Sequence, residues 1–525
     1  MSARGHELTL AATALLMTLP FASKAFHIDD AAYIELAEGG TALDERDRVV
    51  FAAEGRPPDA YEAMAHPPLV PSLIAVGARV AGGVREVPQH LLFAAFPVVA
   101  AVSLYRLAAH LRPDPLWPAL LVVTSPVFVL SGQGLMTDMP MLALSLLSLA
   151  ALAEGMTRDR LLWTVLSGVA AGLAILTRYL ALGLLPLLFA LELTQRRRAR
   201  AAAMAAAIAA MIVGAWAARD WARHGTVHLL AAGRHYLRYY AGDAFTGHGT
   251  ALKVLSDTAA VGGALLAPLL VLAVDRPRAA LASLAAGGLV SFANPLRVPE
   301  LQHYTALQLA ALALFLAAGG FAVILGLAPP RAPARTFLTV WLAGALLSAV
   351  LLLPFGASRY TLPAIAPLAL LAFGARSGPW GVAVALNIAL SVGLSLVDWS
   401  HADAYRAFAR SFHPAGRTWF VGEWGFRHYM RREGHRYLGA DDLSPAAGDW
   451  IVRAELAGLH AIDPDLLRRA PVTAVSEADS ALPLRLLGFA AKAGFYSHAW
   501  GLLPYSPSRA PLERFEIRRV IGGAP

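Results

Sequence analysis

The sequence predicts an α-helical polytopic membrane protein of about 13 transmembrane helices, with a long first extracytoplasmic loop and a small C-terminal α/β extracytoplasmic domain. Three observations carry this reading. Hydrophobic residues make up 57% of the chain and charged ones only 15%, with a mean hydropathy of +0.53, which is not a soluble composition. The first part of the chain breaks into uncharged stretches of about 15–25 residues, the length that crosses about 30 Å of hydrocarbon. The expected cytoplasmic loops between those stretches are short and basic and the first extracytoplasmic loop is acidic, an asymmetry that fits the positive-inside rule.

Taken in order, the first stretch is Leu8–Ser23. It lacks a small-residue cleavage site and runs into Lys24, so it reads as an uncleaved span. Further spans are expected near 88–109, 115–132, 139–154, 161–177, 179–194, 201–218, 256–274, 279–295, 303–327, 336–356, 360–375 and 379–397. The 179–194 stretch is short and holds Pro186, which can kink it. Pro67–Ala81 is apolar but opens on two prolines and is short, which suits a helix lying along the interface. After Asp398 the composition turns soluble. Thr418–Val421 and Asp449–Arg453 read as strands, Glu423–Glu433 as a helix ended by Gly434, and Phe489–Phe495 and Phe515–Val520 as strand-like. The chain thus divides into a membrane part, 1–398, with the first loop at 25–87, and a soluble part, 399–525, large enough to hold its own core.

With a cytoplasmic N-terminus, the inside loops hold Arg112, Arg158 and Arg160, the run Arg196–Arg200, Arg276 and Arg278, Arg331 to Arg335, and Arg376. All are short and basic. The first outside loop is acidic, with Asp29, Asp30, Glu35, Glu38, Asp44 and Glu45 among its residues. The net charge of +8 is therefore a topology signal with membrane lipid as its partner, and no nucleic acid is implied. Cysteine is absent, which excludes disulfides and thiolate metal sites. No Walker loop, GxGxxG, HExxH or GxSxG element is present to support nucleotide, zinc or serine-hydrolase chemistry.

Three polar clusters then stand at the edges of apolar stretches on one expected side: His27–Tyr33, Met136–Pro140 and Ser358–Pro363. A carboxylate at membrane depth is expensive unless it faces water, a cation or a substrate, which makes Asp138 a functional candidate. Its bland role is a helix N-cap, with Pro140 in the first turn. Asp29 and Asp30 follow the first span, where an acidic helix start is the bland reading, and Tyr33 lies one turn further on. Arg178 and Arg359 each interrupt apolar stretches on the outside, against the charge bias. A guanidinium there suits bidentate phosphate binding, the bland alternative being a snorkelling side chain. His66 offers a third phosphate or acceptor contact, and Glu300, His303 and Tyr304 form a further outside cluster.

Asp29-Asp30-Ala31-Ala32-Tyr33-Ile34-Glu35-Leu36-Ala37 resembles the Asp-Glu-x-x-Tyr-x-x-x-Ala element of the C-type glycosyltransferase superfamily. His66-Pro67-Pro68-Leu69 is similar to its Lys-Pro-Pro-Leu element, Asp138-x-Pro140 to its second acidic loop, and Arg359-Tyr360-x-Leu362-Pro363 to its Arg-Tyr-x-Leu-Pro element. The branch most resembled holds bacterial lipid A aminoarabinose transferases, protein O-mannosyltransferases and rhizobial lipopolysaccharide transferases (glycosyltransferase family 39-like). The resemblance implies transfer of a sugar, with inversion, from a polyprenyl-phosphate donor to a lipid, glycan or protein acceptor on the periplasmic face of a bacterial inner membrane. It implies Asp29 and Asp138 as essential carboxylates, Arg178 and Arg359 as ligands of the lipid phosphate, and Tyr33, Tyr360 and His66 as further substrate contacts. Asp30 stands where the family has Glu, which leaves open which of the pair works; His66 stands where it has Lys, so charge there would follow pH. For a hydroxyl acceptor a carboxylate would serve as base. A phosphate acceptor would need none, and Asp29 and Asp138 would instead hold a divalent cation, Mg²⁺ or Mn²⁺. The Phe420–Phe426 segment is similar to soluble tails of some bacterial members. The rival class is a transporter or lipid flippase using Asp138 and the arginines at mid-bilayer, and a third is a scaffold presenting the C-terminal domain.

Overall fold

The computed structural model describes residues 2–195, 199–240, 242, 244–328, 332–373, 379–458 and 460–522. The expected basic signals Arg196–Arg198, Arg331 and Arg376 lie outside the described residues. Among the described residues, six helices are long and apolar enough to cross a membrane: Glu86–Leu111, Asp138–Arg158, Arg200–His224, Ala306–Leu327, Pro333–Leu352 and Trp380–Ser411. The pair Gly247–Ala264 and Leu266–Asp275, bent by 78°, makes a seventh if taken as one broken span. Helix also occupies the remaining expected stretches, but in shorter or interrupted pieces.

The interruptions have local causes. The expected 115–132 span divides into Leu116–Val123 and Pro126–Ser131 because Pro126 lacks an N–H and drives Ser125 to ψ 145°. The carbonyls freed at this break are taken up by side chains of the last long helix. Ser391 Oγ donates to the Thr124 carbonyl at 2.8 Å and Asn387 Nδ2 to that of Leu121 at 3.2 Å. Likewise Pro268 has no N–H to give the carbonyl of Ala264, where the Gly247–Asp275 pair bends. The 179–194 stretch starts as a 3₁₀ turn, Tyr179–Gly183, before the helix Leu184–Thr194.

The first loop is helical rather than irregular. It holds Asp30–Ala37, Glu45–Ala53, Ala60–Ala63 and Leu69–Ala81. Asp44 and Asp47 form a reciprocal capping box on the second of these, with bonds of 2.7 and 3.0 Å. Leu69–Ala81 covers the expected interfacial segment, buries Val70 and Ile74, leaves Val76 and Val80 exposed, and ends at Gly82 in the left-handed region, φ 69°.

At the C-terminal end a five-stranded sheet runs in the order Arg436–Tyr437, Thr418–Val421, Trp450–Ala454, Glu513–Arg519, Val472–Ala478. Thr418–Val421 pairs parallel with its two neighbours, and Glu513–Arg519 antiparallel with its own. Three expected strands are present. Phe489–Phe495 is not one strand: Leu487–Gly488 and Ala493–Gly494 pair across a turn in which Lys492 has φ 55°. Val472–Ala478, an edge strand with Val472 and Val475 exposed, has too little alternation to be read from sequence.

The expected boundary at 398 falls inside a helix, because Trp380–Ser411 runs on for 32 residues. One continuous hydrophobic cluster joins the two parts, with Phe26 and Ile28 of the first loop beside Tyr405, Phe408, Phe426 and Phe515. Gly425 allows this closeness, since a Cβ there would overlap the carbonyl of Phe26. Buried charges cross the same seam. Lys24 pairs with Asp398, whose oxygens also accept from Tyr496 Oη at 2.9 and 3.0 Å.

Glu513 is a buried carboxyl in the sheet, accepting from Tyr405 Oη at 2.7 Å and from the N–H groups of Leu456 and Arg514 at 3.0 and 2.9 Å. Burial raises its pKa to about 7 despite these donors. A raised carboxyl pKa stabilises the fold at pH below the ordinary value, and that contribution is lost as pH rises through about 7. We therefore expect the wild-type melting temperature to fall between about pH 4 and pH 8 by the equivalent of up to about 3 kcal/mol. Glu513→Gln, which keeps the same three partners, should flatten that slope in thermal unfolding of the detergent-solubilised protein.

Candidate active site

The polar clusters of the sequence meet at one place. Asp29 stands at the start of the Asp30–Ala37 helix, directly after Ile28, whose φ of 47° is a strained conformation for a β-branched residue. Asp138 is the first residue of Asp138–Arg158 and is buried. Arg178 leaves the end of Leu161–Thr177 in extended conformation, and Arg359 lies in the 3₁₀ turn Ser358–Thr361. Four chain segments far apart in sequence thus bring two carboxylates and two guanidinium groups together.

Their pairing is specific. Arg178 Nη1 donates to Asp138 Oδ1. Arg359 Nη1 donates to Asp29 Oδ2 at 2.8 Å and lies 3.8 Å from Asp138 Oδ2. Tyr360 lies under both cations, with ring-centre distances of 4.7 Å to Arg178 and 5.1 Å to Arg359. The quartet is neutral overall, with Asp138, Arg178 and Arg359 buried and Asp29 partly exposed. Asp138 does not act as a helix cap, since its carboxylate turns to the arginines instead of the helix N–H groups.

Asp30 is placed differently from its neighbour. It is buried, with Oδ2 accepting from the N–H of His27 at 3.1 Å and Oδ1 from that of Leu135 at 2.8 Å. Burial raises its pKa to about 6, opposed by Lys24 and these two bonds. Its position makes it a clamp between the loops that carry Asp29 and Asp138. Tyr33 stacks on His66 at 6.4 Å and 20° between planes. Burial and the charges of Arg178 and Arg359 push the His66 imidazole well below its ordinary pKa, so it stands neutral beside the arginines. The outside cluster is elsewhere: Glu300 meets His248 at 3.0 Å, and Tyr304 Oη accepts from the N–H of Leu502 at 2.7 Å.

Two buried atoms of the quartet have no hydrogen-bond partner, Arg359 Nε and Asp138 Oδ2. Buried polar atoms are usually hydrogen-bonded, so each of these two stands out. For a divalent cation the donor set does not fit. Asp29 and Asp138 are each already paired with a guanidinium, Arg359 lies between them, and among the described residues no third His, Asp or Glu completes a metal group.

Sequence reasoning missed the aromatic surround. Phe355 lies 5.3 Å from the Tyr360 ring and 6.3 Å from that of Tyr240, on the His228–Tyr240 helix. The run Tyr236, Tyr239, Tyr240 was the available signal. It also missed a cleft of about 310 Å³ that opens from Asp29 between Asp30–Ala37 and the C-terminal helix Trp424–Arg432.

Fold and site together define a helical membrane-type protein in which two carboxylates and two guanidinium groups meet at the ends of apolar helices. Residues 65–218 match the family model described as dolichyl-phosphate-mannose-protein mannosyltransferase, a branch of the superfamily that the motifs resemble. The matched segment contains His66, Asp138 and Arg178. No curated protein sequence matches the chain. Similar solved structures include ArnT from Cupriavidus metallidurans bound to undecaprenyl phosphate, at 17% identity over 90% of this chain and 97% of that one, with a TM-score of 0.44. The archaeal oligosaccharyltransferase AglB from Archaeoglobus fulgidus, in complex with an inhibitory peptide and a dolichol-phosphate, shows 12% identity over 86% and 69%, TM-score 0.42. The S. cerevisiae protein O-mannosyltransferase Pmt1–Pmt2 complex bound to the sugar donor shows 13% over 49% and 36%, TM-score 0.32.

Removing the Asp30 carboxyl leaves the N–H groups of His27 and Leu135 buried without acceptors. Asp30→Ala should therefore cost about 1–3 kcal/mol for each, read as a lowered melting temperature. Asp30→Asn, which can still accept through its one oxygen, should lose less.

Proposed function

We propose that the chain is an integral-membrane glycosyltransferase that moves a sugar from a polyprenyl-phosphate donor to an acceptor hydroxyl. The observation that carries this is the quartet itself: Arg359 set between Asp29 and Asp138, with Arg359 Nε and Asp138 Oδ2 both buried and without a hydrogen-bond partner. The family match over 65–218 supports it. The reaction belongs on the periplasmic face of a bacterial inner membrane, with the N-terminus cytoplasmic and the sheet-bearing C-terminal part periplasmic.

The donor phosphate sits against Arg178 and Arg359, whose planar forks match its oxygens. The acceptor oxygen attacks the anomeric carbon as the bond to the phosphate oxygen breaks. The electron pair leaves with the lipid phosphate, and the configuration at carbon inverts. Both guanidinium groups, themselves buried, stabilise the charge that develops on the leaving oxygen. Asp29, the half-exposed carboxylate of the quartet, takes the acceptor proton. Asp138, buried against both arginines, orients them and keeps their charge compensated before the donor arrives.

The test is release of polyprenyl phosphate from labelled polyprenyl-phosphate sugars by the protein in nanodiscs. Asp29→Asn should lower turnover by about 10²–10⁴-fold, the usual worth of a general base. Arg359→Lys should lower it by about 10²-fold, because an ammonium cannot reproduce the fork. Asp138→Asn should abolish turnover while the protein still inserts. Passage of uncleaved lipid or solute across proteoliposomes, without phosphate release, would assign the carrier reading instead.

A further inference from the structure

The cleft beside Asp29 is built from both ends of the chain. One wall is the Asp30–Ala37 helix of the first loop; the other is Trp424–Arg432, at the start of the C-terminal sheet region. Its volume of about 310 Å³ is that of a small-ligand pocket. Asp29 belongs to both places: its Oδ2 accepts from Arg359 Nη1, and the residue lines the cleft. Neither Arg178 nor Arg359, the arginines that suit phosphate, is among the residues that line the cleft.

Its chemistry differs from that of the quartet. Five carboxyl groups and three guanidinium groups line it, so acidic side chains outnumber basic ones. Most of those charges pair across it. Glu35 meets Arg427 at 3.1 Å and Arg431 at 3.0 Å, and Glu38 lies 3.9 Å from Arg432. Arg431, Arg432 and Glu38 remain part-exposed at the rim, with acceptors and donors alternating along it. Trp424 supplies an apolar face. Its backbone is held at φ 60°, a strained value for a bulky residue, by the extended Glu423 before it, and its ring lies 5.1 Å from that of Trp500. A pyranose has the complementary surface: hydroxyls that both donate and accept around its edge, and a C–H face that packs on indole.

The geometry points to this cleft as the acceptor subsite, taking an uncharged carbohydrate whose hydroxyl reaches Asp29, with the C-terminal helix as its specificity wall. The inference rests on the transferase reading, because it is the sharing of Asp29 that makes the bound sugar an acceptor. It gives the C-terminal region a task in the reaction, and it makes the acceptor a hydroxyl and not a phosphate.

Saturation-transfer NMR on the full chain in nanodiscs tests it, with mannotriose, maltotriose and chitotriose as neutral probes and glucose 6-phosphate as the anionic one. At least one neutral trisaccharide should bind, with glucose 6-phosphate weaker. The signal should drop about tenfold or more both in Trp424→Ala and in Ala32→Trp, which fills the cleft from the opposite wall. Melting temperatures identify any variant that has not folded, and the other variant then decides. Binding unchanged in the folded variants, no binding of any neutral trisaccharide, or preference for the sugar phosphate would each overturn the proposal. Release of polyprenyl phosphate from donor in the same discs separates the two readings. Donor cleavage without trisaccharide binding removes the acceptor subsite and leaves the transferase standing. Trisaccharide binding without cleavage of any donor removes the transferase, and the acceptor role with it.

Discussion

The carboxylate of Asp30 accepts one hydrogen bond from the loop that carries Asp29 and another from the loop that leads into Asp138. Those loops are 105 residues apart in sequence, and this residue holds them in register. Everything in the quartet depends on that register. Arg359 can touch Asp29 and face Asp138 only while the two carboxylates stand on either side of its guanidinium. Burial makes the constraint severe, because each charge of the quartet would be costly without its partner. The strained backbone at Ile28 is sustained by the same clamp, two residues before Asp30.

Part of this was legible in the chain. Asp138, Arg178 and Arg359 stand out because each is a lone charge between apolar stretches, where hydropathy leaves it no bland neighbours. Asp29 and Asp30 were equally visible but indistinguishable, since adjacent residues share every sequence signal and only the fold shows that one faces the arginines and the other the backbone. Other features have no local signature. Lys24 and Asp398 are 374 residues apart, and the first reads simply as the end of a span. The breaks before Pro126 and near Pro268 were hidden because hydropathy counts a proline as apolar and says nothing of its missing N–H. Phe489–Phe495 alternates like a strand, yet the left-handed Lys492 turns it into a tight pair of short segments.

The C-terminal region is part of the site's framework. Its sheet reaches the first loop through Phe26, Phe426 and Phe515, and Tyr429 Oη accepts from the N–H of Phe26 at 2.9 Å. Tyr496 completes the shell around Asp398, where Lys24 supplies the compensating charge. Within this stretch Lys24 is held by Asp398 of the last long helix, Phe26 by Tyr429 of the C-terminal region, and Asp30 by the N–H of Leu135 ahead of Asp138.

The unbroken Trp380–Ser411 helix adds a question of scale. At about 1.5 Å per residue its 32 residues extend about 48 Å, well beyond the roughly 30 Å of a hydrocarbon core. The excess is a rigid post, and the sheet with its Trp424–Arg432 helix stands on it at a set elevation. The Trp424–Arg432 wall of the cleft thus packs against the same continuous helix whose apolar stretch is long enough to cross a bilayer.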